Sequence, residues 1–346
     1  MSSKRVRVGF VGCGRHGGER IYPSLDLAGI DLVATCDLDR ERAERYARRF
    51  GAKSVYTDYR AMCEAEDLEA VLVVTGPQGH FEVGRELVGM GYPVWMEKPP
   101  APTAGQAEEL AAAAADAGVH VQVGFNYRYS AGVRRARSLI DGGQFAPPRM
   151  VSVRWWLGGA EDGDEFLQHY VVHAADLLAY LAGGLSRPHV RKAEAGDRFY
   201  YVATFDGAGA RGGAPCIAVL EASNHMHILG RWCCIEWQSE TGMLRCSDFD
   251  EVTLTAGKSY EGRAEMPAPS TGGSGPGPDV STVARWDPLS SLPTAATSQF
   301  ERWGYAPELR LFAAIVRGEA SPECTVADAA RAMRLGREIL SIPRTL

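Results

Sequence analysis

No stretch of this chain comes near the ~20 consecutive apolar residues that a membrane span requires, so its 45% apolar residues must serve interior packing. It also lacks a basic excess. With 37 Lys and Arg against 43 Asp and Glu, the formal net charge of −6 argues against nucleic acid as a partner, because backbone binding works by neutralising phosphates with clustered cations. The arginines between Arg40 and Arg49 are interleaved with Glu41 and Glu44, the pattern of a solvated helix face. Eight cysteines occur without Cys-x-x-Cys spacing, so reduced, mostly buried thiols are expected rather than a disulfide framework or a zinc clamp. The histidine pair His169 and His173 has no evident third ligand, and no metal is expected. Met1 to Lys4 lead directly into Val6–Val11, leaving no room for a signal peptide's apolar segment, and a cytoplasmic location is expected.

What is present points to two domains, since 346 residues exceed the ~100–200 of a usual single core. Val6–Val11 is a buried-strand pattern followed at once by Gly12-Cys13-Gly14-Arg15-His16-Gly17, and Leu32–Cys36 forms a second strand ending at Asp37. In a strand-turn-helix-strand unit of this kind, Gly12 permits the tight turn, Gly14 lets the backbone approach a pyrophosphate, and Gly17 allows close helix packing. Asp37 stands twenty residues after Gly17, where a carboxylate accepts hydrogen bonds from ribose hydroxyls and repels a 2′-phosphate. NAD is therefore the expected cofactor, with Arg40 nearby leaving NADP open.

The alternation continues through Ala70–Val74, Val94–Met96 and Val119–Val123. The first of these ends in Thr75, Gly76 and Pro77, expected walls of a cofactor crevice. His80 reads equally as a crevice residue or as a helix-start residue. Val94–Met96 delivers Glu97-Lys98-Pro99, and a proline after lysine holds the backbone extended or turned, a geometry that aims Lys98 into the crevice. Thr103 and Gln106 have the spacing of a capping box for a helix ending near Gly118.

These motifs, with Gly124-Phe125-Asn126-Tyr127-Arg128-Tyr129 and His173-Ala174-Ala175-Asp176, make the sequence resemble the Gfo/Idh/MocA oxidoreductases, the family of glucose-fructose oxidoreductase and inositol dehydrogenase. The resemblance implies an α/β plus α+β chain. A Rossmann domain with a doubly wound parallel sheet occupies 1–125, and a substrate-binding and oligomerisation domain on a large, mostly antiparallel open sheet occupies 126–346. Strands are expected around 150–155, 200–204, 216–220 and 232–237, and helices over 306–317 and 326–340. The Pro-, Gly- and Ser-rich composition from Pro267 to Pro278 predicts an exposed loop, placed at about 264–298.

In function, the resemblance implies hydride transfer between a nicotinamide and a hydroxyl or keto carbon of a sugar, sugar derivative or cyclitol, by a homo-oligomer. Imidazole, with an ordinary pKa of ~6.5, suits removal of the hydroxyl proton, and His173 is the expected base. Lys98 is expected to stabilise developing alkoxide. The family typically places an aspartate four residues before this histidine. Here that position is His169, which reads as a substrate contact, as a group tuning His173, or as packing. The cofactor set comprises Gly12, Cys13, Gly14, Arg15, His16, Gly17, Asp37, Arg40, Thr75, Gly76, Pro77, His80, Glu97 and Lys98. The substrate set adds Asn126, Arg128, Tyr129, Trp155 and Asp176 to Lys98, His169 and His173. Arg128 reads nearly as well as a structural salt bridge, and Trp155 as a core or interface residue. Enzymes that retain and recycle NAD, a reductase of an imine or non-sugar carbonyl, and a nucleotide-dependent regulator are the rival readings.

Overall fold

The computed structural model describes residues 4–157, 166–196, 198–209, 213–224, 231–240, 242–256, 282–291 and 298–341. Its first sheet comprises β1 (Val6–Val11), β2 (Ile30–Cys36), β3 (Ser54–Tyr56), β4 (Ala70–Val73), β5 (Val94–Met96) and β6 (Val121–Val123). The order is β3-β2-β1-β4-β5-β6, with every pair parallel. Because side chains alternate across a strand, β4 sends Ala70 and Leu72 to one face and Val71 and Val73 to the other, all fully buried. Burial on both faces is what makes such strands continuous apolar runs.

The two covering layers differ in origin. One face is covered by helices Pro77–Gly89 and Ala104–Ala117, whose Leu87 and Leu110 meet Val71 and Val94. Thr103 caps the latter helix, accepting the Gln106 amide at 3.2 Å, and Gly118 ends it in the left-handed conformation. The other face receives Tyr305, Leu309 and Phe312 from helix Tyr305–Val316 against Phe10, Leu72 and Trp95. Helix Val326–Ser341 likewise supplies Val326 and Ala329 to the first layer. The core division therefore does not follow a simple cut at 125/126: the chain returns after residue 300 to complete the first unit.

The second sheet contains β7 (Met150–Leu157), β8 (Leu185–Ala195), β9 (Arg198–Gly207), β10 (Cys216–Ser223), β11 (Arg231–Ser239), β12 (Gly242–Ser247), β13 (Glu251–Ala256) and β14 (Thr282–Trp286). Their order is β14-β13-β12-β11-β7-β10-β9-β8, antiparallel except where β10 runs parallel to β7. Along β9 the period of two is plain: Tyr201, Ala203 and Phe205 point to a core shared with helices Ala131–Asp141 and Val172–Ala182, while Tyr200 and Val202 face outward. The loop expected at about 264–298 needs correction, because Thr282–Trp286 pairs in register with β13 and Pro288–Ser291 forms a helical turn. The remaining parts of that stretch, 264–281 and 292–297, lie outside the described residues. Among the described residues, no helix is long and apolar enough to cross a membrane.

Candidate active site

The glycine loop follows β1 directly. Gly12 has φ +102°, and a Cβ there would sit 2.1 Å from the Val74 carbonyl oxygen, so both its backbone conformation and its contact with β4 demand glycine. At Gly14 a Cβ would meet nothing within 4 Å; this is open space above the loop, as a closely approaching ligand needs. The close-packing role expected of Gly17 falls instead to Gly18. A Cβ on Gly17 would make ordinary contact with Tyr22 at 3.6 Å, whereas one on Gly18 would press to 2.3 Å from the Tyr46 hydroxyl. That hydroxyl donates to the Gly14 carbonyl at 2.8 Å and so holds the loop's crest. After the loop the chain winds as a π turn, Gly17–Ile21, and a 3-10 turn, Tyr22–Ser24.

Asp37 ends β2 beside the loop. It accepts the Cys13 amide at 2.7 Å and the Asp39 amide at 2.9 Å. A carboxylate has about four lone-pair sites, so capacity remains for ribose hydroxyls. Asp37, Gly12, Gly14, Leu38, Arg42 and Thr75 border a cleft of about 740 Å³. Leu38 is 95% exposed, an apolar side chain held over an open cleft. Arg40 does not border it: its guanidinium pairs with Glu44 at 3.1 Å on the solvated face. Arg42, 3.7 Å from Asp37, and Arg60 both border the cleft, and neither was singled out from sequence. An open crest at Gly14, a conformation only glycine accepts at Gly12 and a carboxylate with spare acceptors fit an NAD molecule. Asp37 would hold the ribose and the loop the phosphates.

The nicotinamide end of this crevice is built by β4 and β5. Thr75, Gly76 and Pro77 form the wall where β4 passes into helix Pro77–Gly89. His80 is buried beneath that wall rather than within it. Its Nε2 accepts the Thr75 and Gly76 amides at 3.1 and 3.2 Å, and its Nδ1 donates to the Pro99 carbonyl at 2.8 Å. With both nitrogens occupied, His80 positions two turns and has none left for a cofactor. Burial lowers its pKa, consistent with a neutral ring that both accepts and donates.

Glu97 and Lys98 follow β5, with the Lys98–Pro99 peptide cis. Glu97 is bonded to His16 Nε2 at 3.0 Å and accepts the Lys98 amide at 3.1 Å. Burial drives the Glu97 carboxyl upward, yet the His16 bond and the charges of His16, Lys98 and His80 hold it below its ordinary value. Burial pulls the Lys98 ammonium down, opposed by Glu97. Arg15 points away, pairing with Glu19 at 3.0 Å. The Cys13 thiol is buried and pushed up to about 11, so it packs against Tyr22 rather than acting as a nucleophile.

His173 lies on helix Val172–Ala182, across the turn Gly124–Tyr127 from Glu97. A Cβ on Gly124 would stand 3.3 Å from the Glu97 carboxylate, while the ring of the next residue, Phe125, meets His173 edge-on at 5.7 Å. Glu97 and His173 thus approach adjacent residues of one segment. Trp155, from the inner face of β7, stacks on His173 at 6.0 Å and 17°. Tyr127 completes the enclosure at 4.9 Å, backed by Phe249 in a 4.1 Å stack. Tyr127 and Phe249 were missed in the sequence, although Tyr127 belongs to the same motif. Asp248 and Phe249, with φ +47° and +69°, turn this corner in left-handed backbone, a conformation non-glycine residues rarely adopt. His169 lies on the turn Phe166–Val171, and its side chain is outside the described residues.

Four expected substrate residues are placed elsewhere. Asn126 is buried and donates to the Trp303 carbonyl at 2.7 Å, tying in the returning chain. Tyr129 belongs to the core with Phe125 and Val172. Arg128 is buried and holds Asp176 through both carboxylate oxygens, with the Nε contact at 2.7 Å. Burial pushes the Arg128 guanidinium down, but the Asp176 charge more than reverses this, so the pair is ionic. Its task is to fix helix Val172–Ala182, and hence His173, against the first domain. Glu308, also missed, is wholly buried, and burial pushes its carboxyl far above the usual range.

Comparison with known proteins agrees with this geometry. Residues 6–125 match the model of the Gfo/Idh/MocA oxidoreductase family, NAD-binding Rossmann fold. An inositol 2-dehydrogenase of Ralstonia nicotianae is 32% identical over 184 residues, 51% of this chain and 55% of that protein. Another, of Pseudomonas savastanoi pv. phaseolicola, is 36% identical over 150 residues, 42% of this chain and 44% of the relative. The chain thus spans about half the length of the curated relatives it matches. Among solved structures, a dehydrogenase from Chromobacterium violaceum superposes with a TM-score of 0.81 at 26% identity, covering 98% of this chain and 95% of the other. A levoglucosan dehydrogenase bound to NADH and L-sorbose shares the fold at TM-score 0.76 and 18% identity, covering 97% and 96%. The glycine loop, Asp37 and Glu97-Lys98-Pro99 all lie inside the matched segment, so residues 6–125 match the NAD-binding Rossmann fold of the Gfo/Idh/MocA oxidoreductases, and the whole chain shares the fold of the Chromobacterium violaceum dehydrogenase over nearly its full length.

Proposed function

We propose that the protein is an NAD-dependent dehydrogenase acting on a CH–OH carbon of a cyclitol, sugar or sugar derivative, with Lys98 and His173 as its catalytic residues. What supports this reading is that the segment carrying Lys98 and the helix carrying His173 both approach residues 124–125, where the Glu97 carboxylate lies beside Gly124 and the His173 ring meets Phe125. Bound NAD supplies the hydride acceptor. His173 takes the hydroxyl proton as the carbon is oxidised, and Lys98 offers a cation to the oxygen on which negative charge develops. The lowering of Lys98 by burial suits it to hydrogen-bond that oxygen from a dry site. Tyr127, partly buried beside the imidazole, offers aromatic surface that suits the C–H faces of a ring substrate.

The named relatives, inositol 2-dehydrogenases, favour a cyclitol among polyhydroxylated substrates. Asp37 favours NAD over NADP by repelling a 2′-phosphate. The test is NADH formation with a panel of inositols, aldoses and their derivatives, using wild type, Lys98→Ala and His173→Ala. Each variant is expected to lose about 10²–10⁴-fold in kcat while NADH binding persists. Unimpaired turnover in both variants overturns the mechanism, and wild type that binds NADH yet oxidises no member of the panel overturns the substrate class. A homo-oligomer is part of the same proposal: Tyr200, Val202 and Ile217 lie exposed on the outer sheet face, and sedimentation of the full chain reads out the assembly.

A further inference from the structure

His16 occupies a position in the glycine motif where that pattern makes no demand on side chain, and it is the loop's only side chain that reaches across to the Lys98 turn among the described residues. The bond to Glu97, 3.0 Å long, joins segments 81 positions apart, one following β1 and the other β5. Its two ends differ in environment. The Glu97 side chain is 8% exposed and that of His16 51%, so the carboxylate is anchored in protein while the imidazole keeps one side open to solvent. Glu97 is anchored further by the Lys98 amide, which it accepts at 3.1 Å, and it lies close over the Gly124 backbone. The other titratable groups around His16 are Lys98, Arg20, the buried His80 and Tyr305, whose ring stands edge-on at 6.3 Å. Arg20 is turned aside over the Trp303 ring and donates to Gln299. Two residues along from the open crest at Gly14, where such loops receive a dinucleotide's pyrophosphate, His16 is therefore an imidazole held in place by a carboxylate of the β5 turn.

We propose that His16 and Glu97 form a cofactor clasp, fixing the glycine loop to the Lys98 turn and presenting the imidazolium to the cofactor's pyrophosphate. The inference rests on NAD binding alone and stands apart from the substrate reading above. Hydrogen bonding to Glu97 raises the His16 pKa, against the opposing effect of burial, so the charged form extends toward neutral pH. Cofactor affinity is then strongest below that raised value and weakens as pH climbs through it.

The experiment is NADH binding by fluorescence between about pH 6 and about pH 9, paired with NMR titration of the His16 ring in the cofactor-free protein. Wild type is expected to weaken about fivefold across the His16 titration, the loss of one charged contact to a phosphate. His16→Gln, which retains a hydrogen-bond donor to Glu97, should bind at the weaker level throughout with no inflection. Glu97→Gln should move both the NMR titration and the affinity inflection together to lower pH. An affinity profile for His16→Gln that matches wild type overturns the clasp, as does an inflection in Glu97→Gln that stays in place. Because no substrate enters the assay, failure of the dehydrogenase reading and failure of the clasp are separately visible.

Discussion

Glu97 and Asp176 are both carboxylates from the motifs read in the sequence, and both hold a nitrogen-bearing side chain, His16 and Arg128, but the surroundings of the two pairs give them different work. Asp176 and Arg128 are 1% and 5% exposed, joined through both oxygens and covered by Tyr180, over whose ring the guanidinium lies at 4.8 Å. Glu97 is equally buried, yet its partner His16 is half exposed at the crevice. The Arg128–Asp176 pair borders a cavity of about 640 Å³, but with its charges engaged on each other and almost sealed, its first effect is to orient the elements that carry it. A pair with one wet end can pass its order on to whatever binds. Motif membership alone made the two alike, and burial separates them.

The sharpest way to break this comparison is to remove one partner of the dry pair. Arg128→Ala leaves Asp176 buried without its cation and is expected to cost about 3–5 kcal/mol of stability in denaturant unfolding. The double variant Arg128→Met/Asp176→Leu removes both charges and should recover much of that loss. If the single variant loses less than about 1 kcal/mol, the pair is not structural and Arg128 returns to the candidate substrate contacts. Neither variant should move cofactor affinity in a way that depends on pH.

His80 tests the same distinction from the cofactor side, because it is buried within a motif expected to touch the ligand. Replacing it by Ala strips partners from the Thr75 and Gly76 amides and the Pro99 carbonyl, an expected loss of about 2–3 kcal/mol. The pH dependence has a definite sign. The folded pKa of His80 is depressed by burial, so the unfolded chain binds its proton more readily. Its contribution to stability is full above the ordinary value of about 6.5 and declines as pH falls below it. Thermal unfolding from about pH 8 to about pH 5 should show a decline at the acid end that is shallower in His80→Ala. An equal slope in both proteins would remove His80 from the account.

The same physics explains what was legible in the sequence. β1 and β4 were visible because burial on both faces leaves unbroken apolar runs. β3 was not, because Ser54–Tyr56 is a half-buried edge of three residues pairing only with β2. β14 was hidden by the Pro- and Gly-rich composition that precedes it, its pairing with β13 being a long-range event. In the candidate site, the places of Gly12, Asp37 and Glu97-Lys98 at strand ends could be read because they are set by neighbours a few residues away or by backbone conformation. The partner of Asn126, Trp303, is 177 positions distant and was not legible, and for Arg128, 48 positions from Asp176, the salt-bridge reading stood beside the substrate one. Short polar motifs disclose residue chemistry, while the side on which the chain returns decides whether that chemistry meets solvent.

The smallest of the expected effects lies within the glycine loop, where two adjacent glycines exchange the roles that spacing alone would assign. Gly17→Ala adds a methyl at ordinary contact distance from Tyr22 and should change stability by less than about 1 kcal/mol. Gly18→Ala drives its methyl into the Tyr46 hydroxyl, and relief requires that ring to shift. The shift breaks the bond to the Gly14 carbonyl, so the crest of the loop loosens exactly where a dinucleotide must approach. The expected result is a loss of about 1–2 kcal/mol in stability, accompanied by weaker NADH binding. Tyr46→Phe in the Gly18→Ala background removes the nearest clashing atom and leaves the ring carbons at 2.8 and 2.9 Å. It should recover part of the stability without restoring affinity, because the crest then has no donor to hold it. Recovery of both together would mean that packing alone, and not the Tyr46–Gly14 bond, shapes the loop.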